Sequence, residues 1–181
     1  LYPARTASKA GPVALSVRGL SVPGYASAMD FDLHRGEILG IAGLIGSGRT
    51  EAMEGLCGLR PAQYRMLEID GKRVEINGPA DALAHRLCYL TEDRKLRGLL
   101  LEKGMRENLT LQALARFGTF LSDRRAEDRA LDAAITDFDI RTGRRDITVG
   151  NLSGGNQQKL LLAKVMQSEP EILIADEPTR G

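Results

Sequence analysis

The stretch Gly43-Leu44-Ile45-Gly46-Ser47-Gly48-Arg49-Thr50 decides the fold, because it matches the phosphate-binding template G-x-x-x-x-G-K-[ST] at every position except Arg49. Its glycines let successive backbone N–H groups approach an anion without Cβ atoms in the way. A helix predicted to begin near Thr50 adds the partial positive charge of its N-terminus. We therefore expect the loop to cradle phosphate and the Thr50 hydroxyl to reach a magnesium ion.

Arg49 occupies the position at which the template has a lysine. Arginine keeps the positive charge, but its planar guanidinium is bulkier and less flexible than an ammonium group. We expect nucleotide binding to survive this change, while the alignment needed for rapid phosphoryl transfer suffers. Taken alone, the loop leaves open the alternative of a purely structural connection between a strand and a helix.

Three strands are predicted before the loop. Apolar and polar residues alternate over 13–20, and a second strand follows the turn at Pro23-Gly24, over 28–33. The segment 37–42 is apolar on both faces, a pattern typical of a strand at the centre of a sheet covered on both sides. These strands would lead the chain directly into the phosphate loop.

After the loop, the pattern predicts a helix that ends near Gly58, a hairpin and a second helix. The hairpin pairs residues 66–69 with 74–76 around Asp70-Gly71, a strong two-residue turn signal. A helix over 80–85 and a buried strand over 87–90 follow. From about residue 95 to 151 the pattern is helical, and Leu111 and Leu114 are expected to mark one of its helices.

Two polar motifs close the chain. Ser153 is expected to cap a helix that begins in Leu152-Ser153-Gly154-Gly155-Asn156-Gln157-Gln158-Lys159. An apolar strand over 172–175 then leads into Asp176-Glu177, where one acid suits magnesium and the other suits an attacking water. Each motif has a simpler alternative, namely an ordinary helix cap and a solvated strand end.

Composition limits the class of protein. Of 181 residues, 43% are hydrophobic and 27% charged, which is typical of a soluble globular domain. The formal net charge of +1 gives no support for a nucleic-acid surface. No apolar run approaches the roughly 20 residues of a membrane span, and no signal peptide is visible, so a cytosolic chain is expected. Cys57 and Cys88 lack metal-site spacing and are expected to be buried thiols.

The order of phosphate loop, helical segment, Leu-Ser-Gly-Gly signature and Asp-Glu strand resembles the ATP-binding cassette (ABC) family. The resemblance covers the chain from about Val13 to Gly181. It implies an α/β fold of the P-loop NTPase type, with a mixed or parallel sheet core, a small antiparallel β subdomain and a helical insert over about 95–151. Residues 12–181 would form a partial nucleotide-binding domain, truncated after its acidic Walker B motif, with residues 1–11 as a linker.

Three strings narrow the resemblance: Thr91-Glu92-Asp93-Arg94-Lys95, residues 152–159 and Asp176-Glu177-Pro178-Thr179-Arg180-Gly181. They look like the second ATPase half of the fused, two-cassette subunits of bacterial ribose, galactose or xylose importers. Leu1-Tyr2-Pro3 is similar to the linker between the two cassettes. In that family the second half commonly has arginine for the loop lysine and glutamate for the lid glutamine, as at Arg49 and Glu92.

The resemblance implies that ATP and Mg²⁺ are bound. Thr50 and Asp176 would ligate the metal, Glu177 would be the general base, and Arg49 and Glu92 would occupy the other catalytic positions. Two cassettes would meet head to tail, so that this chain's signature caps a nucleotide held by the other half. The nucleotide-binding residues would be the phosphate loop (Gly43, Leu44, Ile45, Gly46, Ser47, Gly48, Arg49 and Thr50) and the signature (Ser153, Gly154, Gly155 and Asn156).

The implied partners are an upstream cassette of the same polypeptide or a second subunit, a transmembrane sugar permease and, indirectly, a periplasmic sugar-binding protein. No nucleic acid is expected, and the location would be the cytoplasmic face of the bacterial inner membrane. The family's switch histidine and the loop after the Asp-Glu strand would lie beyond Gly181, so the chain is expected to expose apolar surface and to hydrolyse little ATP alone. Tyr25 is the nearest candidate for stacking on adenine, against simple turn packing.

Two other functions stay open. In the first, the chain is a catalytically silent module that binds nucleotide and supplies its signature to a partner. In the second, it is a non-transport ABC protein that acts on DNA or the ribosome. The Asn-Gln-Gln-Lys extension at 156–159 and the Glu-Asp-Arg string at 92–94 disfavour the second of these.

Overall fold

The structure is a computed structural model that describes residues 11–118 and 122–178. The chain divides into two compact units, Leu1–His85 and Arg86–Gly181. Apart from Gly11, the predicted linker lies outside the described residues, and so do residues 179–181 of the acidic motif. The domain boundaries drawn from the sequence stay a prediction.

Four antiparallel strands form the sheet of the first unit, in the order β2-β1-β3-β4. The strands span Val13–Val22 (β1), Ala26–His34 (β2), Met66–Ile69 (β3) and Lys72–Arg73 (β4), and two helices span Arg49–Leu56 (α1) and Pro79–Ala84 (α2). The strands predicted over 13–20 and 28–33 are confirmed, and both are longer than predicted.

The large buried apolar side chains of β1 change from odd to even positions along the strand, which is buried throughout residues 14–17. Leu15 and Val17 are buried, and so are Leu20 and Val22. A register shift against β2 lies between Val17 and Leu20, where Gly19 has a φ of +67°. Because a bulge adds one residue to one strand only, it keeps the apolar side chains on the core face along the whole of β1.

The Asp70-Gly71 turn joins β3 to β4, as predicted. Both residues have positive φ, +51° and +71°, as a type I′ turn requires. The position predicted for the second strand of the hairpin, 74–76, is wrong, because β4 is Lys72–Arg73. The Val74 N–H still donates to the Leu67 carbonyl oxygen at 3.0 Å, but the Ile76 N–H donates to the Tyr64 hydroxyl at 2.7 Å and not to a neighbouring strand. Ile76 and Val74 are buried although they lie outside β4.

The prediction of a central strand over 37–42 is wrong, because residues 37–44 form neither helix nor strand. Hydrogen bonds to neighbouring strands hold a strand in place, and within the described part of the chain no backbone hydrogen bond joins residues 38–43 to another segment. Ile38 is 92% exposed and Leu44 84% exposed. Apolar side chains of this segment are therefore exposed to solvent.

Helix α1 is fixed at both of its ends by glycine. It follows the phosphate loop and buries the apolar face predicted for it, formed by Met53, Leu56 and Cys57. Gly58 follows the helix with a φ of +68°, and a Cβ atom there would lie 2.5 Å from the backbone carbonyl carbon of Gly78. The position therefore requires glycine, which confirms the predicted end of the helix.

The second unit combines a parallel pair of strands with helices. Strands β5 (Leu87–Leu90) and β6 (Ile172–Ala175) pair in parallel, and both were predicted. The helical elements are a π-turn (Arg94–Gly98), α3 (Met105–Thr110), a 3₁₀ helix (Leu111–Arg116), α4 (Arg124–Asp137), a short 3₁₀ helix (Val149–Asn151) and α5 (Gly154–Met166). Helix α3 packs against α4 and α5, and α5 packs against β5. Among the described residues, none of the helices has the length and hydrophobicity that a membrane crossing requires.

Leu111 and Leu114, which were expected to mark a packed helix, are 47% and 48% exposed. The buried apolar side chains of this region are Met105, Leu109, Ala113 and Phe117. Ala113 has non-helical backbone angles, φ −115° and ψ 31°, which interrupt the helix and change the direction of its side chains. The prediction of helical structure in this region is therefore confirmed, but the side chains predicted to be packed are not the ones that are buried.

The two cysteines are buried and form no disulfide, as predicted. Burial raises the pKa of the Cys88 thiol, which keeps it protonated. Both therefore act as small apolar side chains within their units.

Candidate functional site

The phosphate loop, residues 43–50, leads into α1, and its last two residues are the first two of that helix. Gly46 and Gly48 both have a φ of +79°, a conformation that favours glycine. A Cβ atom at Gly43 would lie 2.6 Å from the Ser47 hydroxyl oxygen, so the Ser47 side chain packs directly over the first glycine of the loop. Residues 43–47 are exposed, which leaves the loop accessible to a phosphate.

Arg49 and Thr50 are the first two residues of α1, and both are partly buried. The Arg49 Cδ atom lies 3.2 Å from the position that a Cβ of Gly43 would take, so the side chain folds back over the loop. The guanidinium group is thus carried by a stem that contacts the loop itself. The helix N-terminus and this cation both favour an anion at the loop.

Tyr25, the candidate for stacking on adenine, lies in the turn between β1 and β2 and is 51% exposed. The guanidinium carbon of Arg60 lies 4.9 Å from the centre of the Tyr25 ring. One face of the ring is therefore occupied by a cation from the same unit. Adenine stacking on Tyr25 stays a prediction.

The signature begins helix α5, as predicted. The Ser153 hydroxyl oxygen accepts a hydrogen bond from the Asn156 backbone N–H at 3.4 Å. Ser153, Gly154 and Gly155 are all exposed. An exposed hydroxyl and exposed glycines at the N-terminus of a 13-residue helix form a surface suited to phosphate.

Asn156, also predicted to contact nucleotide, braces the loop that follows α4. Its amide nitrogen donates to the Arg141 carbonyl oxygen at 2.7 Å, and its amide oxygen accepts from the Arg141 N–H at 2.9 Å. Lys159 holds the same loop through Asp139 at 3.0 Å, and this bond holds the pKa of the Asp139 carboxyl below its usual range. The start of α5 is therefore fastened to the loop after α4, and the nucleotide contact of Asn156 stays a prediction.

The acidic residues meet at one edge of the parallel strands. Leu90 and Ala175 are register partners at the ends of β5 and β6, so Glu92 and Asp176 follow at the same carboxyl edge. The Tyr89 hydroxyl donates to the Asp176 carboxylate at 2.9 Å. Glu177 is exposed and has a φ of +39°, an unusual conformation for a residue with a side chain.

The segment after Glu92 is bonded to helix α5. Asp93 caps the π-turn by accepting from the Leu96 N–H at 3.0 Å. Lys164 of α5 donates to the Gly98 carbonyl oxygen at 2.8 Å, and burial lowers the pKa of this lysine. The second unit thus places the region around Glu92 against the helix that begins with the signature.

The expected magnesium ligands are chemically suitable. The Thr50 hydroxyl and the Asp176 carboxylate supply oxygen, which Mg²⁺ prefers, and this ion is commonly held by one or two protein groups together with substrate phosphates. Within residues 11–118 and 122–178 there is no group of three or more His, Cys, Asp or Glu side chains that would hold a metal by themselves. Each of these two groups, taken by itself, suits a metal that binds together with a nucleotide, and their joint role stays a prediction.

A cavity of about 470 Å³ lies in the second unit, at α3 and α4. Its charged lining consists of three arginines and three acids, Arg106, Arg124, Arg145, Glu107, Asp128 and Asp146. Arg106 already forms ion pairs with Glu107 and Asp128, at 3.0 and 3.1 Å. Because the charges balance, the cavity favours neither an anion nor a cation.

Sequence reasoning missed Glu54 and Arg60, which form an ion pair in the same unit as the phosphate loop. Glu54 is only 4% exposed and accepts two hydrogen bonds from Arg60. The available signal was a glutamate between Met53 and Leu56 on the face of α1 that the apolar pattern assigns to the core. A buried carboxylate requires a partner, but the sequence does not say which cation it is.

Comparison with known families matches residues 26–180 of the chain to the model described as ABC transporter. The chain is 42% identical over 181 residues to the ribose import ATP-binding protein of Lacticaseibacillus paracasei, covering 99% of this chain and 36% of that protein. It is 42% identical over 184 residues to a galactose/methyl galactoside import ATP-binding protein of Photobacterium profundum, covering 100% of this chain and 37% of that protein. The chain thus spans just over a third of the length of these curated relatives.

A solved structure supports the fold. The ADP conformation of an ATP-binding cassette of an ABC transporter superposes with a TM-score of 0.74 at 17% identity, covering 93% of this chain and 70% of that chain. The antiparallel sheet, the parallel pair and the helices described above therefore form an ABC-type P-loop NTPase fold, as the sequence predicted.

Proposed function

The chain belongs to the ABC transporter family, and we propose that it is a nucleotide-binding cassette whose hydrolysis of ATP energises the import of a sugar. The observation that carries this proposal is the 42% identity, over nearly the whole chain, to two import ATP-binding proteins. ATP is the substrate, and Mg²⁺ is the metal that accompanies it. Location at the cytoplasmic face of the bacterial membrane follows from this function.

The chain is the second cassette of a fused two-cassette subunit. Arg49 and Glu92 support this assignment, because both stand where the second half of such subunits commonly departs from the motif. The share of 36% of the ribose relative leaves room for a further cassette. The partners are then the upstream cassette, or a second subunit, together with a transmembrane sugar permease and, indirectly, a periplasmic sugar-binding protein.

Different residues bind the phosphates, hold the metal and accept the proton. The loop of residues 43–50 binds the phosphates through its backbone N–H groups, and Thr50 and Asp176 hold Mg²⁺. When bound, Mg²⁺ neutralises charge that develops on the transferred phosphoryl group. Glu177 accepts the proton of the attacking water, and Glu92 occupies the lid position that senses the nucleotide.

The signature acts on a nucleotide held by the other cassette. Ser153, Gly154 and Gly155 offer a hydroxyl and backbone N–H groups at the start of α5 to its terminal phosphate. Closure on ATP and opening after hydrolysis would then drive the permease, with the helical insert and the segment after Glu92 as the coupling region. The bonds from α5 to Gly98 and Arg141 support this, since they make the signature helix move together with both segments.

A second candidate is a silent module that binds nucleotide and only supplies its signature. The side chain of Arg49 favours it, because its stem folds back over Gly43 and a guanidinium is a poor substitute for the aligned lysine. Glu177 favours hydrolysis, since it retains the general base. We expect slow hydrolysis at this site.

The deciding experiment is Glu177→Gln in the two-cassette subunit, with the acid of the upstream cassette intact and the permease present. We expect lower rates of ATP hydrolysis and sugar uptake in proteoliposomes. Glu171→Gln is the matched control, because it removes the same charge at the other end of β6, where Glu171 pairs with Arg86 at 3.0 Å. Unchanged rates in Glu177→Gln would favour the silent module.

A further inference from the structure

Glu54 carries a charge into the core of the first unit. It is 4% exposed, on the face of α1 that also buries Leu56. Taking a carboxylate out of water is strongly unfavourable unless it is paired and hydrogen-bonded. Arg60 supplies both requirements, because its Nε and Nη2 atoms donate to Glu54 Oε2 at 2.9 and 2.7 Å. The pair therefore fixes the direction of the Arg60 guanidinium relative to α1.

The same guanidinium covers the ring of Tyr25. Its central carbon lies 4.9 Å from the ring centre, within the range of a cation–π contact. Arg60 is about 29% exposed at its side chain, so water screens this contact only in part. Glu54 thus holds Arg60, and Arg60 holds the ring of Tyr25.

The backbone of Tyr25 in turn lies against the phosphate loop. A Cβ atom at Gly48 would clash with the Tyr25 carbonyl oxygen, which places the Gly48 Cα directly on that backbone. Gly48 is the N-cap of α1, directly before its first residue, and its carbonyl oxygen accepts the first helical hydrogen bond, from the Ala52 N–H at 2.8 Å. The contacts form a closed circuit from α1 through Glu54, Arg60 and Tyr25 to Gly48, and so back to α1.

The loop needs such a support. Residues 43–47 are exposed, and the only backbone hydrogen bond found within the described loop residues is the one from the Ser47 N–H to the Leu44 carbonyl oxygen, at 3.1 Å. A loop that is ordered only when a ligand binds loses affinity to the entropy of ordering. The contact of the Tyr25 backbone with Gly48 reduces this loss of affinity, because it keeps the N–H groups at the start of α1 in place before the ligand binds.

We propose that Arg60 is a positioning residue for the phosphate loop, acting through the ring and backbone of Tyr25 and kept in place by Glu54. The proposal rests on the proposed function, in that the loop must bind a nucleotide. It differs from base stacking in what it affects. A positioned loop binds phosphate better whether or not a base is attached, whereas a stacking platform improves the binding of the base alone.

The test compares Mg-ATP with Mg-tripolyphosphate, which has no base, in titrations of the chain by calorimetry. In Arg60→Met, both affinities are expected to fall by a similar factor, about fivefold, as loss of a cation–π contact and a buried pair would give. Arg60→Lys keeps a cation over the ring and should recover part of both. Arg65→Met is the matched control, because it removes a 74% exposed arginine whose side chain pairs with Asp30 at 3.3 Å, and it should leave both affinities unchanged.

Tyr25→Leu separates positioning from folding. It leaves the pair of Glu54 and Arg60 intact and removes only the ring, so it is expected to weaken both ligands in parallel even if Arg60→Met fails to fold. Loss of ATP affinity alone would overturn the proposal in favour of base stacking. Equal affinities in Tyr25→Leu and the original chain would also overturn it. If the original chain binds neither ligand, the proposed function fails and this proposal falls with it.

Discussion

The side-chain amide nitrogen of Gln158 donates a hydrogen bond to the carbonyl oxygen of Pro178, at 2.9 Å. Gln158 lies in the first turns of α5, and Pro178 follows Glu177 directly. The bond therefore joins the helix that begins with the signature to the corner that carries the proposed general base. Because Glu177 has a φ of +39°, its backbone needs such a restraint to keep the carboxylate in one place.

Replacing Gln158 should lower turnover without weakening nucleotide binding. We expect Gln158→Met to lower kcat for ATP about fivefold, the effect of one lost hydrogen bond on alignment, with little change in KM. The measurement uses the two-cassette subunit with the upstream general base replaced by glutamine, so that turnover reports on this site. Gln158→Arg retains a donor and should restore kcat in part.

The control for Gln158 is Thr136→Val, which removes another side-chain bond to a carbonyl oxygen, that of Asp132 at 3.0 Å in α4. It should leave kcat unchanged. If Glu177→Gln lowers kcat in this background and Gln158→Met does not, the role assigned to the bond with Pro178 is contradicted.

Restoring the template lysine should speed hydrolysis. We expect Arg49→Lys to raise kcat about tenfold, because an ammonium group aligns with the terminal phosphates where the guanidinium does not. The measurement is single-turnover hydrolysis in the same two-cassette background. Arg65→Lys is the control for the same exchange at an exposed position of the first unit. A kcat for Arg49→Lys equal to or below that of the original protein would argue against slow hydrolysis caused by Arg49.

Two glycines with almost the same backbone angle should respond differently to alanine. Gly58 has a φ of +68° and a blocked Cβ position, whereas Gly71 has a φ of +71° and nothing within 4 Å. Both variants lose about 1 kcal/mol to the unfavourable φ, and Gly58→Ala loses roughly 2 kcal/mol more to the clash with Gly78. Urea unfolding measures both, and equal losses would contradict the close contact at Gly58.

Lys164 should make stability depend on pH in the alkaline range. Burial lowers its pKa in the folded chain, so the unfolded chain binds the proton more tightly. The free energy of unfolding should therefore rise with pH between the lowered pKa and about 10.4, the pKa of an exposed lysine. Urea unfolding across this range should show the rise in the original chain and a smaller rise in Lys164→Met. Parallel curves for the two proteins would contradict the burial of a charged group.

Local signals in the sequence were sufficient for much of the fold. Asp70-Gly71 defined a turn, Ser153 defined the start of α5, and short apolar runs defined β5 and β6, because each of these depends on residues a few positions apart. The prediction of a strand over 37–42 was wrong because a strand depends on residues that are distant in the sequence. The apolar residues of this segment suit a central strand, but a strand also needs hydrogen-bonding neighbours, which a local pattern does not contain.

The contacts that support the candidate site could not be predicted from the sequence. Gln158 and Pro178 are 20 positions apart, and Lys164 and Gly98 are 66 apart, so their bonds arise only when the chain has folded. The motif residues themselves were identified from spacing and resemblance. Their roles in binding and catalysis stay predictions that the variants above test.

The central claim, that residues 43–50 bind the phosphates of a magnesium nucleotide, is tested most directly by NMR titration of the chain with Mg-ATP. The expected result is weak but saturable binding, with the largest shifts at residues 43–50 and little hydrolysis, since the partner's signature is absent. Thr50→Val should reduce the part of the affinity that depends on Mg²⁺. The account is contradicted if no saturable shifts occur, or if saturation leaves residues 43–50 unshifted.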